Sequence, residues 1–225
     1  MKESTAHVYR KNKDNVLEGD CSKQEVIIYP FVSIVVVTKN EERYIEECIE
    51  SLIRLEYPKE KYEIIVVDGN STDKTHEIVK KYPVKLIIDT EGGLANSRNI
   101  GIKNAKGDYI ASTDADCVVK ENWLKILVNN IQEAPDDVVA VGGPNSIFEN
   151  DPPFAKLVGY VQETFFASGG APQSYKINKN RYVFGIPNCN VLYKRNKLIE
   201  VGGFDSSLDM GEDAEINYRF TKGGV

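Results

Sequence analysis

Phe31-Val32-Ser33-Ile34-Val35-Val36-Val37 is an apolar run dominated by β-branched side chains. A run of this kind marks a strand buried on both faces, the habit of parallel sheets. Asn40 is placed to cap a following helix. Tyr44, Ile45, Cys48, Ile49, Leu52 and Ile53 recur at helical spacing, which predicts an amphipathic helix over 41–55, ended by Pro58. A second buried strand, Glu63-Ile64-Ile65-Val66-Val67, comes next, and Ser71 or Thr72 is placed to cap a helix reaching Tyr82. Further strands are predicted at Val84–Ile88, Tyr109–Thr113 and Val138–Val141. Helices are predicted over 93–105, weakened by Gly101, and over 121–133, where Trp123, Leu124, Leu127, Val128 and Ile131 share a face.

Alternating strands and helices predict βαβ units and an α/β fold with a mostly parallel central sheet covered by helices. Residues 1–29 are polar and read as an extension, disordered or loosely packed. Residues 30–225 read as one domain, with a first half to 120 and a less regular second half from 121. There, 152–167 carries an apolar stripe (Phe154, Leu157, Val158, Val161, Phe165) expected to be a buried helix face. Gly169 to Asn180 reads as a loop, Arg181 to Tyr193 as strand pieces broken by Pro187, and Ala214 to Phe220 as a helix.

Composition narrows the function. The chain has 225 residues, 41% hydrophobic and 28% charged, which excludes collagen-like and wholly disordered classes. Its net charge of -6 makes it a poor polyelectrolyte partner, so no nucleic acid is expected. No apolar run approaches the roughly 20 residues of a membrane span. The scattered Cys21, Cys48, Cys117 and Cys189 form no metal or redox spacing and read as small core residues in a reducing, cytosolic compartment. His7 and His76 attract no role.

In such sheets, ligands bind beyond the carboxyl ends of the strands. Asp114-Ala115-Asp116 lies there. Two carboxylates at i and i+2 of extended backbone point the same way and offer hard oxygen donors suited to Mg²⁺ or Mn²⁺. Asp68 ends its strand in what reads as the register of Asp114, and Thr38 and Asn40 end the first strand. Arg98 could meet a phosphate or hold an aspartate. Glu212-Asp213 opens the last helix.

Five pieces then line up in order: Ser33 to Glu41, Glu63 to Thr75, Ala95 to Asp116, Pro187-Asn188-Cys189-Asn190, and Gly202-Gly203-Phe204-Asp205 with Gly211-Glu212-Asp213. In this the chain resembles the inverting glycosyltransferases of family 2, with the nucleotide-diphospho-sugar transferase (GT-A) fold. Gly69 departs from the pattern where many relatives carry a second acid, and Lys39 where many carry an aromatic residue.

The resemblance implies a donor site of Thr38, Asn40, Glu41 and Asp68 for the base and ribose, Asp114 on the ribose or sugar side, and Arg98 near the donor. It implies Asp116 as ligand of Mn²⁺ or Mg²⁺, Asp213 as general base, and Asn188, Asn190 and Glu212 on the acceptor side. The expected partners are a UDP- or GDP-linked sugar and a saccharide or polyprenyl-phosphate-type acceptor, with peripheral contact at the cytoplasmic face of a membrane as a second reading of the 152–167 stripe. Because many relatives continue past the base motif, the chain is expected to be truncated at its C-terminus or naturally short. The competing functions are a sugar nucleotidyltransferase, disfavoured by the glycine-free Thr38-Lys39-Asn40-Glu41 loop, and an inactive sugar-nucleotide-binding relative.

Overall fold

The computed structural model describes residues 7–10, 29–144, 152–164, 167, 181–183, 185–208 and 210–222. The predicted loop at 169–180 and Phe165 lie outside the described residues.

The described strands are β1 (His7–Arg10), β2 (Val32–Thr38), β3 (Tyr62–Asp68), β4 (Lys85–Ile88), β5 (Tyr109–Asp114), β6 (Val138–Gly142), β7 (Arg181–Val183) and β8 (Val191–Lys194). They form one sheet in the order β4-β3-β2-β5-β8-β6-β1-β7. Six strands run one way; β8, between β5 and β6, and β7, at the edge, run against them. The α/β sheet expected from the sequence is present. Within the polar extension, His7–Arg10 pairs with β6 and β7. Main-chain pairing satisfies backbone groups whatever the side chains, so composition alone does not reveal such a strand.

Two cores flank the sheet. Val32, Ile34, Val36, Ile64 and Val66 pack beneath α1 (Ile45–Ile53), α2 (Thr75–Val79) and α4 (Trp123–Glu133). Val35, Ile65 and Val67 pack on the opposite face with α3 (Leu94–Asn104), α6 (Arg195–Glu200) and α7 (Glu212–Lys222). Alternate residues of β2 and β3 therefore serve opposite cores, as the period of two requires. Gly101 has a packing reason to interrupt a helix: a Cβ there would collide with Val35 Cγ1, so its absence lets α3 lie close on β2.

Three local expectations change. Asn40 does not cap α1, whose N-cap is Tyr44; Asn40 has φ 57°, and its Oδ1 accepts from Thr72 N at 2.8 Å. Neither Ser71 nor Thr72 caps α2, which begins at Thr75; Asp73 Oδ1 instead accepts from Thr75 N at 3.0 Å. Short polar side chains here satisfy neighbouring loops rather than their own helices. The stripe of α5 (Pro153–Gln162) is not buried: Phe154 is 77% and Leu157 58% exposed, and none of the described side chains of α5 belongs to either core.

Candidate active site

The parallel strands deliver Thr38, Asp68, Asp89 and Asp114 to one edge of the sheet. The first loops there are tied together. Asn40 N donates to Ser71 Oγ (2.7 Å), Glu41 N to Thr75 Oγ1 (2.8 Å) and Glu42 N to Asp73 Oδ2 (3.1 Å). Asp68 is wholly buried; it accepts from Ser71 N (3.3 Å) and Ser71 Oγ and pairs with His76 Nε2. His76 thus has a structural partner that helical periodicity did not reveal. Thr38 is 2% exposed, and its Oγ1 is buried without a partner among the described residues.

Asp68 and Asp114 do not share a register. Thr38 pairs with Asp68, whereas Val37 pairs with Asp114. The offset of one residue turns the two carboxylates to opposite faces of the sheet. Asp68 meets His76 on the α2 side, and Asp114 meets Arg98 on the α3 side.

After Asp114 the strand ends and the chain turns, with Cys117 N donating to Asp114 O at 3.1 Å. This turn, not the extended alternation expected from the sequence, gathers the acids. Ligand atoms of Asp114, Asp116 and Cys117 lie within 4.8 Å of one another. Cys117 is not a core residue: it is half-buried, and its Sγ lies 3.6 Å from Asp116 Oδ1. Burial, with the charges of Asp116 and Asp114, pushes its thiol up to about 12, so at neutral pH it stays protonated. Burial is also the leading cause that raises the Asp114 carboxyl above its ordinary value; Arg98 opposes it and Asp116 adds to it. Glu41 is raised likewise, first by burial and then by Asp116, Asp73 and Asp114. Burial and neighbouring negative charge therefore disfavour the ionised forms of Glu41 and Asp114, the electrostatics of a place suited to a cation. Asp114 and Asp116 offer hard carboxylate donors, and these fit Mn²⁺ or Mg²⁺.

Arg98 is enclosed beside this turn with 6% of its side chain exposed. Its guanidinium lies 3.6 Å from Asp114 Oδ1 and 3.3 Å from Glu212 Oε1, and donates to Ser112 Oγ at 3.4 Å. Glu212 is buried and Asp213 half-buried at the first turn of α7. Asp213 Oδ1 accepts from Ala214 N (2.8 Å), and its carbonyl accepts from Asn217 Nδ2 (2.6 Å). Asn188 is buried and accepts at Oδ1 from Tyr193 Oη (2.9 Å). The Asn190 amide is engaged at both ends, by Trp123 Nε1 (2.8 Å) and Pro144 O (3.2 Å).

The structure therefore brings Glu41, Asp114, Asp116, Arg98 and Glu212 into one connected cluster, with Asp213 next to Glu212. Asp68 joins it only through the loop links at Asn40 and Ser71. Sequence reading missed Asp89, which is 1% exposed and directly follows β4 at the same edge. Asp89 accepts from Glu91 N (3.1 Å), Gly92 N (3.0 Å), Asn96 Nδ2 (2.9 Å) and Ser97 Oγ (2.6 Å). Burial works against its charge, but these bonds hold the carboxyl below its usual value. The available signal was an acid directly after a strand and before Gly92-Gly93.

Among curated relatives, the chain is 30% identical over 207 residues to the dolichyl N-acetyl-alpha-D-glucosaminyl phosphate 3-beta-D-2,3-diacetamido-2,3-dideoxy-beta-D-glucuronosyltransferase of Methanococcus voltae. The alignment covers 86% of this chain and 62% of that protein, so the chain spans about three fifths of its relative. Among solved structures, the mannosyltransferase PcManGT of Pyrobaculum calidifontis, in complex with GDP-Man and Mn²⁺, superposes with a TM-score of 0.61 at 27% identity, over 83% of this chain and 50% of that one. The S. aureus TarS 1-349 structure with UDP shares the fold, with a TM-score of 0.64 at 24% identity, over 85% of this chain and 55% of that one. The profile of Glycosyl transferase family 2 matches residues 33–202, and the chain belongs to that family.

Proposed function

We propose that this chain carries the catalytic domain of an inverting, divalent-cation-dependent glycosyltransferase. It moves a sugar from a nucleoside-diphosphate sugar, UDP- or GDP-linked, to a saccharide or polyprenyl-phosphate-type acceptor. The observation that carries this reading is the turn after β5, where Asp114 and Asp116 converge at the carboxyl edge of the sheet beside Glu41. The Mn²⁺ and GDP-Man bound by PcManGT support the choice of ligands.

Asp114 and Asp116 are the residues that would hold Mn²⁺ or Mg²⁺; such an ion stabilises negative charge growing on a departing diphosphate. The cross-tied loops at Thr38, Asn40 and Glu41 shape the donor end of the crevice. Asp213 takes the acceptor proton through Oδ2, since Oδ1 is held by the Ala214 amide. Attack from the face opposite the leaving group inverts the anomeric carbon through an oxocarbenium-like transition state. Asn188, near Tyr193, and Glu212 shape the acceptor side. No described helix is long and apolar enough to cross a membrane. The exposed stripe of α5 supports contact with the cytoplasmic face of a membrane that carries a lipid-linked acceptor.

The test is product analysis with UDP- and GDP-sugars, Mn²⁺ and candidate acceptors. Transfer releases nucleoside diphosphate; a nucleotidyltransferase would instead leave the NDP-sugars intact and release pyrophosphate in a parallel assay with a nucleoside triphosphate and a sugar 1-phosphate. Asp213→Ala is expected to slow transfer to a hydroxyl acceptor by about 10²–10⁴-fold, with an unchanged melting temperature. Full activity in that variant would remove Asp213 from the mechanism.

A further inference from the structure

Burying a guanidinium is costly unless its donors are satisfied, so the partners of Arg98 reveal its work. Nε faces Glu212 on α7, one Nη reaches Ser112 within β5, and the other faces Asp114 at the end of β5. The guanidinium carbon lies 5.9 Å from the Phe204 ring centroid. The next residue of α3 grips the same loop: Asn99 Nδ2 donates to Phe204 O (2.7 Å), and Asn99 Oδ1 accepts from Phe204 N (2.8 Å). Gly203, at φ 75°, leaves the space that Asn99 fills, since a Cβ there would meet Asn99 Oδ1 at 2.5 Å. Two consecutive residues of α3 therefore fasten the chain leading into α7.

The ion-pair separations of 3.3 and 3.6 Å exceed the roughly 2.7–2.9 Å of a tight charge-assisted bond. The fork spans several partners instead of clamping one, and it faces the protein interior. We infer that Arg98 is a positioning residue rather than a donor contact: it ties Asp114 on the cation side to Glu212 on α7, and so sets Asp114 and the neighbouring Asp213 relative to each other. The inference rests on the transfer reading above.

Arg98→Lys keeps the charge but loses the planar fork. Its Mn²⁺ affinity, read from the free-ion electron paramagnetic resonance signal, is expected to fall by about 10-fold or more, as for other groups that orient metal ligands. Its kcat should fall on the order of 100-fold, while the donor KM at saturating Mn²⁺ stays within about 3-fold. Glu212→Gln, nearly isosteric, should move both readouts the same way and serves if Arg98→Lys does not fold. Because both act through one link, the double variant should be no worse than the weaker single one. A raised donor KM with intact kcat would make Arg98 a donor contact and overturn the inference. So would unchanged Mn²⁺ affinity and kcat, or multiplicative losses in the double variant. If the wild type binds Mn²⁺ but releases no nucleoside diphosphate, the transfer reading falls, while the Mn²⁺ affinities of the single and double variants still decide the role of Arg98.

Discussion

Two pairs of acids sit on the same edge of the sheet and are treated in opposite ways. Asp68, at the end of β3, and Asp89, just after β4, are buried and engaged: Ser71 donates to the first and His76 lies against it, and four groups between residues 91 and 97 donate to the second. Asp114 and Asp116, after β5, face each other, Glu41 and a protonated thiol, with Arg98 reaching only the first. A carboxylate supplied with donors from its own chain is a fastener. Carboxylates that crowd one another have a place for a ligand, and they cost stability until one binds.

The contrast is broken most severely by removing a fastener. Asp89→Ala strands the buried Ser97 hydroxyl and three part-buried donors and should destabilise the fold by about 2–4 kcal/mol, measured by urea unfolding at neutral pH. The folded carboxyl lies below its unfolded value, so its stabilising effect is complete above about pH 4 and lost as pH falls through the folded value. The gap between wild type and variant should therefore close on acidification; a gap that persists would assign the loss to packing alone.

The opposite pair sharpens the comparison with a smaller effect of opposite sign. Asp116 is among the charges that raise Glu41 and Asp114. A raised carboxyl value means that ionisation at neutral pH opposes folding, and the penalty shrinks as pH falls. Asp116→Asn relieves part of it, so without metal the variant should melt about 1 °C higher than wild type. A lower melting temperature would make Asp116 a structural acid like Asp89.

What the sequence reveals follows the physics of each feature. β2, β3 and β6 are legible because strands buried on both faces must be apolar through their middle. The acids at 114 and 116 are legible by position, but their convergence is produced by a turn, which a pattern of extended alternation does not describe. His76 and Asp89 escape because a single polar residue has no period; their partners are identified only by folding. β1 escapes because main-chain pairing needs no apolar side chain. The offset between Asp68 and Asp114 escapes because register is a relation between strands that the residues of one strand do not carry. Gly101 reads as a weak point in a helix and proves to be the site of closest approach to Val35.

The central claim is that the carboxylates after β5 hold a cation that sugar transfer requires. Nucleoside diphosphate release from UDP- and GDP-sugars, with Mn²⁺ and with a chelator, tests it directly in wild type and Asp116→Asn. The account predicts release by the wild type only with the metal, and a loss on the order of 10³-fold in the variant. Equal release in the chelator, or in a folded Asp116→Asn protein, would contradict it.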